Sequence, residues 1–181
     1  DPGLVIECLN GYRLKEKLPS NLLEFTVPLG VPEVIREGTD VTIVSYGSTL
    51  RIIQEAVTML ETQSISCEIV DVQTLLPFDI NHCILESLKK TNRIVFVDED
   101  VPGGAAAYMF NKVMEEQGGY KYLDVAPRTI TGKAHRPGPR LDGRSGQTGL
   151  IAESDLDQLD AAFGPGVSQG GDGLVGPVPV P

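Results

Sequence analysis

The chain has 181 residues, 41% of them hydrophobic, which is enough for one domain with a core and a fragment of a second. Its formal net charge of -10 argues against nucleic-acid binding, which needs a basic face to displace counterions from phosphates. No apolar run reaches the roughly 18 residues needed to span a bilayer, so no membrane partner is expected.

Residues 1–22 do not look like the beginning of a domain. LVIEC (4–8) reads as a strand and NGYRLKEKLPSN as a polar connector. That strand either joins the sheet downstream or ends a preceding domain. LEFTVPLGVPEVIREGTD follows, broken by Pro28, Gly30 and Pro32, and reads as an extended, edge-like segment. VTIVSY (41–46) is a continuous apolar run, as expected for a strand covered on both faces. Gly47 and Ser48 make the turn, and Ser48 or Thr49 can cap a helix. Leu50, Ile53, Val57 and Leu60 then recur at helical spacing. CEIVDV (67–72) is a second buried strand. Pro77 and Asp79 announce a second helix with Ile80, Cys83, Ile84 and Leu88 on its apolar stripe. RIVFVDE (93–99) is a third strand. A third helix should bury Met109, Phe110, Val113 and Met114 and end at Gly118 and Gly119. YLDV (122–125) and RTITG (128–132) look like short strands.

This alternation implies parallel strands joined by right-handed crossovers, in a three-layer α/β/α fold with a mostly parallel sheet. Ligands or partners then meet the carboxyl ends of the strands. Three loops lie at that edge: Tyr46-Gly47-Ser48, Thr74 to Pro77, and Asp98 to Gly104. After His135 the sequence turns polar and irregular. Residues 153–163 could form a short helix, and 164–181 are rich in Gly and Pro and expected to be disordered.

VDEDVPGGAAAYMF (97–110) has the outline of a phosphate loop, but three acids follow the strand and its glycines are adjacent rather than spaced as GxGxxG. Asp98, Glu99 and Asp100 would repel a pyrophosphate. Gly103 and Gly104 serve a tight turn and a close helix start. Asp98 and Glu99 read as a strand terminus facing solvent rather than an acid/base pair. Gly132-Lys133 lacks the Ser or Thr of a P-loop, and Pro127 stands where its first glycine belongs. Gly143-Arg144-Ser145-Gly146 has the wrong spacing for a serine-hydrolase turn. His82 and His135 have no neighbouring ligands at metal spacing, so no metal site is expected; both read as surface or loop residues. Cys8, Cys67 and Cys83 are widely spaced and read as reduced, mostly buried thiols. With an opening DPGLVIECLN that lacks a signal sequence, they suit a cytoplasmic or organelle-matrix protein.

The phrases GTDVTIVSYGSTLRIIQEAVTML, CEIVDVQTLLPFD, LKKTNRIVFVDED, VPGGAAAYMF and YLDVAPRTITGKAHRP, in this order, resemble the C-terminal domain of the beta subunit of thiamine-diphosphate-dependent 2-oxoacid dehydrogenases, a transketolase C-terminal-domain fold. The resemblance runs from about residue 4 to 137. It implies that residues 1–22 are the end of a preceding pyrimidine-binding domain and its linker, and that 23–137 are the transketolase C-terminal-like domain. Residues 138–163 form a segment that departs from the family pattern, and 164–181 a tail. The complete enzymes of this family decarboxylate pyruvate or a branched-chain 2-oxo acid and acylate a lipoyl group. Their thiamine diphosphate, magnesium and catalytic residues belong to other domains, so this chain is expected to bind no cofactor and to be inactive alone. The resemblance implies contacts with other domains and subunits, and with the basic subunit-binding domain of the acyltransferase. Tyr46, Gly47, Ser48, Asp98, Glu99, Asp100, Gly103, Gly104 and His135 are the candidate interface residues. A transketolase or deoxyxylulose-phosphate synthase C-terminal domain, or a stand-alone binding module, is the alternative.

Overall fold

The computed structural model describes residues 2–132 apart from 16 and 23. His135, the helix expected over 153–163 and the Gly/Pro tail lie outside the described residues.

Five strands form one sheet in the order β1-β3-β2-β4-β5. They are β1 (Glu33–Arg36), β2 (Val41–Ser45), β3 (Cys67–Asp71), β4 (Ile94–Val97) and β5 (Arg128–Ile130). The pairs β2–β3, β2–β4 and β4–β5 are parallel, whereas β1 runs antiparallel to β3 at the edge. The prolines around β1 suit that edge, because an edge strand can leave one row of amides unpaired.

Alternation along the central strands divides the core into two layers. Val41, Ile43, Cys67, Ile69, Val95 and Val97 face α1 (Thr49–Thr62), whose Ile53, Val57 and Leu60 cover them. Val44, Val70, Ile94 and Phe96 face the other way. They pack on Ile84 and Leu88 of α2 (Cys83–Thr91) and on Ala106 and Met109 of α3 (Ala105–Phe110). The fold is therefore three-layered, with helices on both faces of a mostly parallel sheet. No helix among the described residues is long and apolar enough to cross a membrane.

Several local expectations differ from what forms. LVIEC is not a strand. Leu4, Val5 and Ile6 are more than 80% exposed, and no ladder partner reaches them among the described residues. Strand propensity without a paired edge does not make a strand. Ile80 is exposed because α2 starts three residues later, at Cys83. There Asp79 accepts the N–H groups of Cys83 (2.7 Å) and Ile84 (3.2 Å), so the buried carboxylate caps the helix from outside it. YLDV does not pair either. Gly118, at φ +75°, turns the chain into a short 3-10 turn (Gly119–Tyr122). The third helix does bury Met109, Val113 and Met114, but past Phe110 it widens into a π-helical turn (Asn111–Glu116) and leaves Phe110 half-buried.

Candidate functional site

β2 connects to β3 on one side, while β4 lies on the other side of β2. The strand order reverses between β2 and β4, and a crevice at such a point is where open α/β sheets bind ligands. The loops after these two strands are the first and third of those picked out in the sequence, Tyr46-Gly47-Ser48 and Asp98 to Gly104.

The chain closes this crevice with its own side chains. The Tyr46 hydroxyl donates to Asp98 Oδ1 at 2.8 Å, and Ser48 Oγ donates to Glu99 Oε2 at 2.9 Å. Ser48 occupies the N-cap position of α1 but makes no side-chain cap bond, so the capping role expected of its hydroxyl is replaced by this contact. Burial pushes the Tyr46 phenol well above its ordinary range. The hydrogen bond to Asp98 and the nearby carboxylates push it the same way, so the phenol stays protonated and remains a donor.

Asp98 corrects the reading of a solvent-facing strand end. It is only 3% exposed. Besides Tyr46, its carboxylate accepts the N–H of Asp100 (3.2 Å) and, through Oδ2, the N–H of Ala106 (3.0 Å) at the start of α3. Hydrogen bonds to a charged acceptor are the stronger kind, which is how an acid is held here with no cation paired to it among the described residues. Its own N–H bonds Ile130 O at 2.9 Å, which fixes the loop on β5. Glu99 and Asp100 are exposed.

The two glycines act as the sequence suggested. Gly103 sits at φ +99°, a region that favours glycine. A Cβ at Gly104 would lie 3.0 Å from Asp100 Oδ2 and 3.3 Å from Asp98 Oδ2, so its absence lets the acids fold under the helix start. This geometry does not fit a diphosphate. The Ala106 amide that would meet a phosphate already holds a carboxylate, and Glu99 and Asp100 add charge of the wrong sign. Among the described residues no group of three or more His, Cys, Asp or Glu side chains could hold a metal ion.

Sequence reasoning placed the Thr74 to Pro77 loop at this edge and named Cys8 as a thiol, but it assigned neither of two features found there. Leu75, Leu76, Gly104, Ala105 and Tyr108 line a shallow apolar groove of about 210 Å3. Leu76 is 78% exposed at its mouth, and Phe78 packs edge-on against Tyr108 at 5.7 Å. Two adjacent leucines just past a strand end were the available signal. The second feature is Cys8. Its Sγ lies 3.2 Å from where a Gly47 Cβ would stand, so the amino-terminal arm touches this same edge. Cys8, Cys67 and Cys83 are all free thiols, with Cys67 fully buried.

Comparison with known proteins agrees with this architecture. The family described as transketolase, C-terminal domain, matches residues 30–144. The beta subunit of the pyruvate dehydrogenase E1 component from Acholeplasma laidlawii is 37% identical over 134 residues, covering 73% of this chain and 39% of that protein. The mitochondrial 2-oxoisovalerate dehydrogenase subunit beta of Dictyostelium discoideum is 34% identical over 65% of this chain and 31% of its own length. The acetoin:2,6-dichlorophenolindophenol oxidoreductase subunit beta of Bacillus subtilis is 32% identical over 77% of this chain and 39% of its own length. A solved split-gene transketolase, described as an inactive beta4 tetramer, superposes with a TM-score of 0.59 at 24% identity, over 77% of this chain and 44% of that one. The chain spans less than two-fifths of the length of these curated relatives. It belongs to the transketolase C-terminal-domain family, in the company of 2-oxoacid dehydrogenase beta subunits.

Proposed function

We propose that this chain is the C-terminal part of the decarboxylating component of a 2-oxoacid dehydrogenase, and that it supplies assembly contacts rather than reacting groups. In the complete enzyme, thiamine diphosphate and magnesium would supply the chemistry that decarboxylates pyruvate or a branched-chain 2-oxo acid before acyl transfer to lipoyl. Residues 1–22 are then the end of a pyrimidine-binding domain and its linker, and 23–137 the C-terminal domain. Residues 138–163 and 164–181 are a divergent segment and a tail. The working compartment is the cytoplasm or an organelle matrix.

One observation carries this reading. The crevice where an α/β sheet would bind a small anion is filled by the chain's own Asp98, and what remains at the surface is acidic and apolar. Such a face suits a protein partner of opposite charge. The candidate partners are the other domains and subunits of the dehydrogenase and the basic subunit-binding domain of the acyltransferase. Tyr46, Gly47, Ser48, Asp98, Glu99, Asp100, Gly103, Gly104 and His135 are the proposed contact region, with Asp98 and Tyr46 positioning the loop from within.

Calorimetric titration of the chain tests the proposal. Binding of the basic subunit-binding domain that weakens steeply with salt is expected, with none of phosphate or nucleotide. Turnover of a 2-oxo acid by the chain with thiamine diphosphate and magnesium would overturn it, as would tight nucleotide binding.

A further inference from the structure

The groove beside the acidic loop is too small and too open for a free ligand. Its volume is about 210 Å3, below the roughly 300–1,000 Å3 of small-molecule sites. Leu76 stands 78% exposed at its mouth. A groove of this kind takes one large side chain, carried by something bigger.

The two ends of the groove differ in charge. At one end is Gly104, where a Cβ would stand 3.0 Å from Asp100 Oδ2, so an exposed carboxylate borders the apolar wall. Asp100 Oδ1 accepts the Val101 N–H at 2.7 Å, which fixes that carboxylate to the loop. At the other end is Tyr108, with Lys112 over its ring at 5.6 Å from the centroid. Lys112 also pairs with Glu116 at 2.7 Å. A cation arriving beside the groove is drawn to the Gly104 end, because the Tyr108 end already holds one. Gly104 and Tyr108 are one helical turn apart, about 6 Å of rise. An apolar wall and a carboxylate at this separation match a helix that carries a large aliphatic side chain and, three or four residues away on the same face, an Arg or Lys.

We infer that the groove anchors such a helix on the assembly partner; this rests on the role proposed above and adds Leu75, Leu76 and Tyr108 to its acidic contact region. The aliphatic side chain enters between those three residues, and the cation meets Asp100. The two contacts do different work. Exposed charges steer encounter and are screened by salt, so Asp100 acts on the association rate. A side chain seated in the groove must leave before the partner does, so Leu76 acts on the dissociation rate.

Binding kinetics of the basic subunit-binding domain on the full chain, over a range of salt concentrations, test this with two variants. Leu76→Ser is expected to weaken binding about tenfold, through faster dissociation, with the salt dependence unchanged. Asp100→Asn is expected to slow association and flatten the salt dependence, with dissociation kept within about twofold. Both side chains are exposed, so the fold survives these changes, and an unchanged circular dichroism spectrum checks it. Unaltered dissociation in Leu76→Ser overturns the inference and leaves the assembly role standing. Unaltered association in Asp100→Asn also overturns it, because the cation then sits elsewhere. No binding by the unsubstituted chain overturns both. A mass in sedimentation that doubles with concentration, but stays single in Leu76→Ser, assigns the groove to a second copy and equally overturns the inference.

Discussion

The two ends of the sheet each bury a carboxylate, and they neutralise it in different ways. At the amino end, Glu68 is fully buried at the start of β3. Its Oε2 is paired with Lys90 of α2 and accepts the Gly38 N–H at 3.2 Å. Lys90 also bonds the exposed Glu37 at 2.5 Å, and that contact lowers the Glu37 carboxyl below its ordinary range. At the carboxyl end, Asp98 has no cation among the described residues. A hydroxyl and two amides hold it. Ion pairing tolerates loose geometry, and among the described residues Glu68 Oε1 has no hydrogen-bond partner. Dipoles must be aimed, so Asp98 fixes the loop and the helix start that surround it. Pairing also cancels charge, whereas hydrogen bonding leaves it in place. The carboxyl end therefore keeps a net negative field, to which Glu99 and Asp100 add.

Substitutions can break this contrast, and the largest effect is expected at the amino end. A Cβ on Gly38 would stand 2.2 Å from the backbone of Cys67 and Glu68, with no flexible side chain to give way. Gly38→Ala should cost about 4 kcal/mol in urea unfolding, because β1 must part from β3. Asp98→Ala should follow at about 3 kcal/mol, since it strands a half-buried phenol and the buried Ala106 amide. Asp98→Asn should lose less, one amide group facing a donor. Lys90→Met should also cost about 3 kcal/mol by leaving Glu68 buried without its cation, and Glu68→Gln together with Lys90→Met should recover most of that loss. Equal losses in the single and double variants would mean that Glu68 is not held by charge.

Tyr46→Phe should cost about 1 kcal/mol, and it separates the ends by pH. Burial pushes the Cys67 thiol, beside Glu68, from 9.0 up to about 11. A raised folded value gives stability that is whole below the unfolded value and is lost as pH rises toward the folded one. Unfolding free energy should therefore fall between about pH 9 and 11 through Cys67, by up to about 1.4 kcal/mol per pH unit. Tyr46, raised for the same reason, should extend the loss to higher pH. Cys67→Ala should flatten the first part and Tyr46→Phe the second. Unchanged alkaline unfolding in both would sink this assignment.

The central strands and α1 were legible because each is long and its burial is continuous or strictly periodic. Val41 to Ser45 are all buried, and the stripe of Ile53, Val57 and Leu60 is the one the spacing shows. The carboxyl-end loops were legible as a place, since alternating strands and helices put them on one edge. Their chemistry was not. Three consecutive acids look alike in sequence, yet Asp98 is inside and Glu99 and Asp100 are outside. What separates them is whether a donor from another segment reaches each one. Tyr46 and Ala106 reach Asp98 from 52 residues before it and 8 after it.

By itself, the sequence determined the layers: apolar period and length decide which residues must leave water, and the strand-helix alternation decides that the sheet is mostly parallel. Only tertiary structure decided the pairings that carry no period. It set β1 antiparallel at the edge, left LVIEC without a ladder partner among the described residues, capped α2 with Asp79 and turned an apparent phosphate loop into one that holds its own anion. Hydrophobic burial is a property of each residue and its spacing, so a sequence displays it. A hydrogen bond needs two groups at one place, and for distant groups that place exists only once the chain has folded.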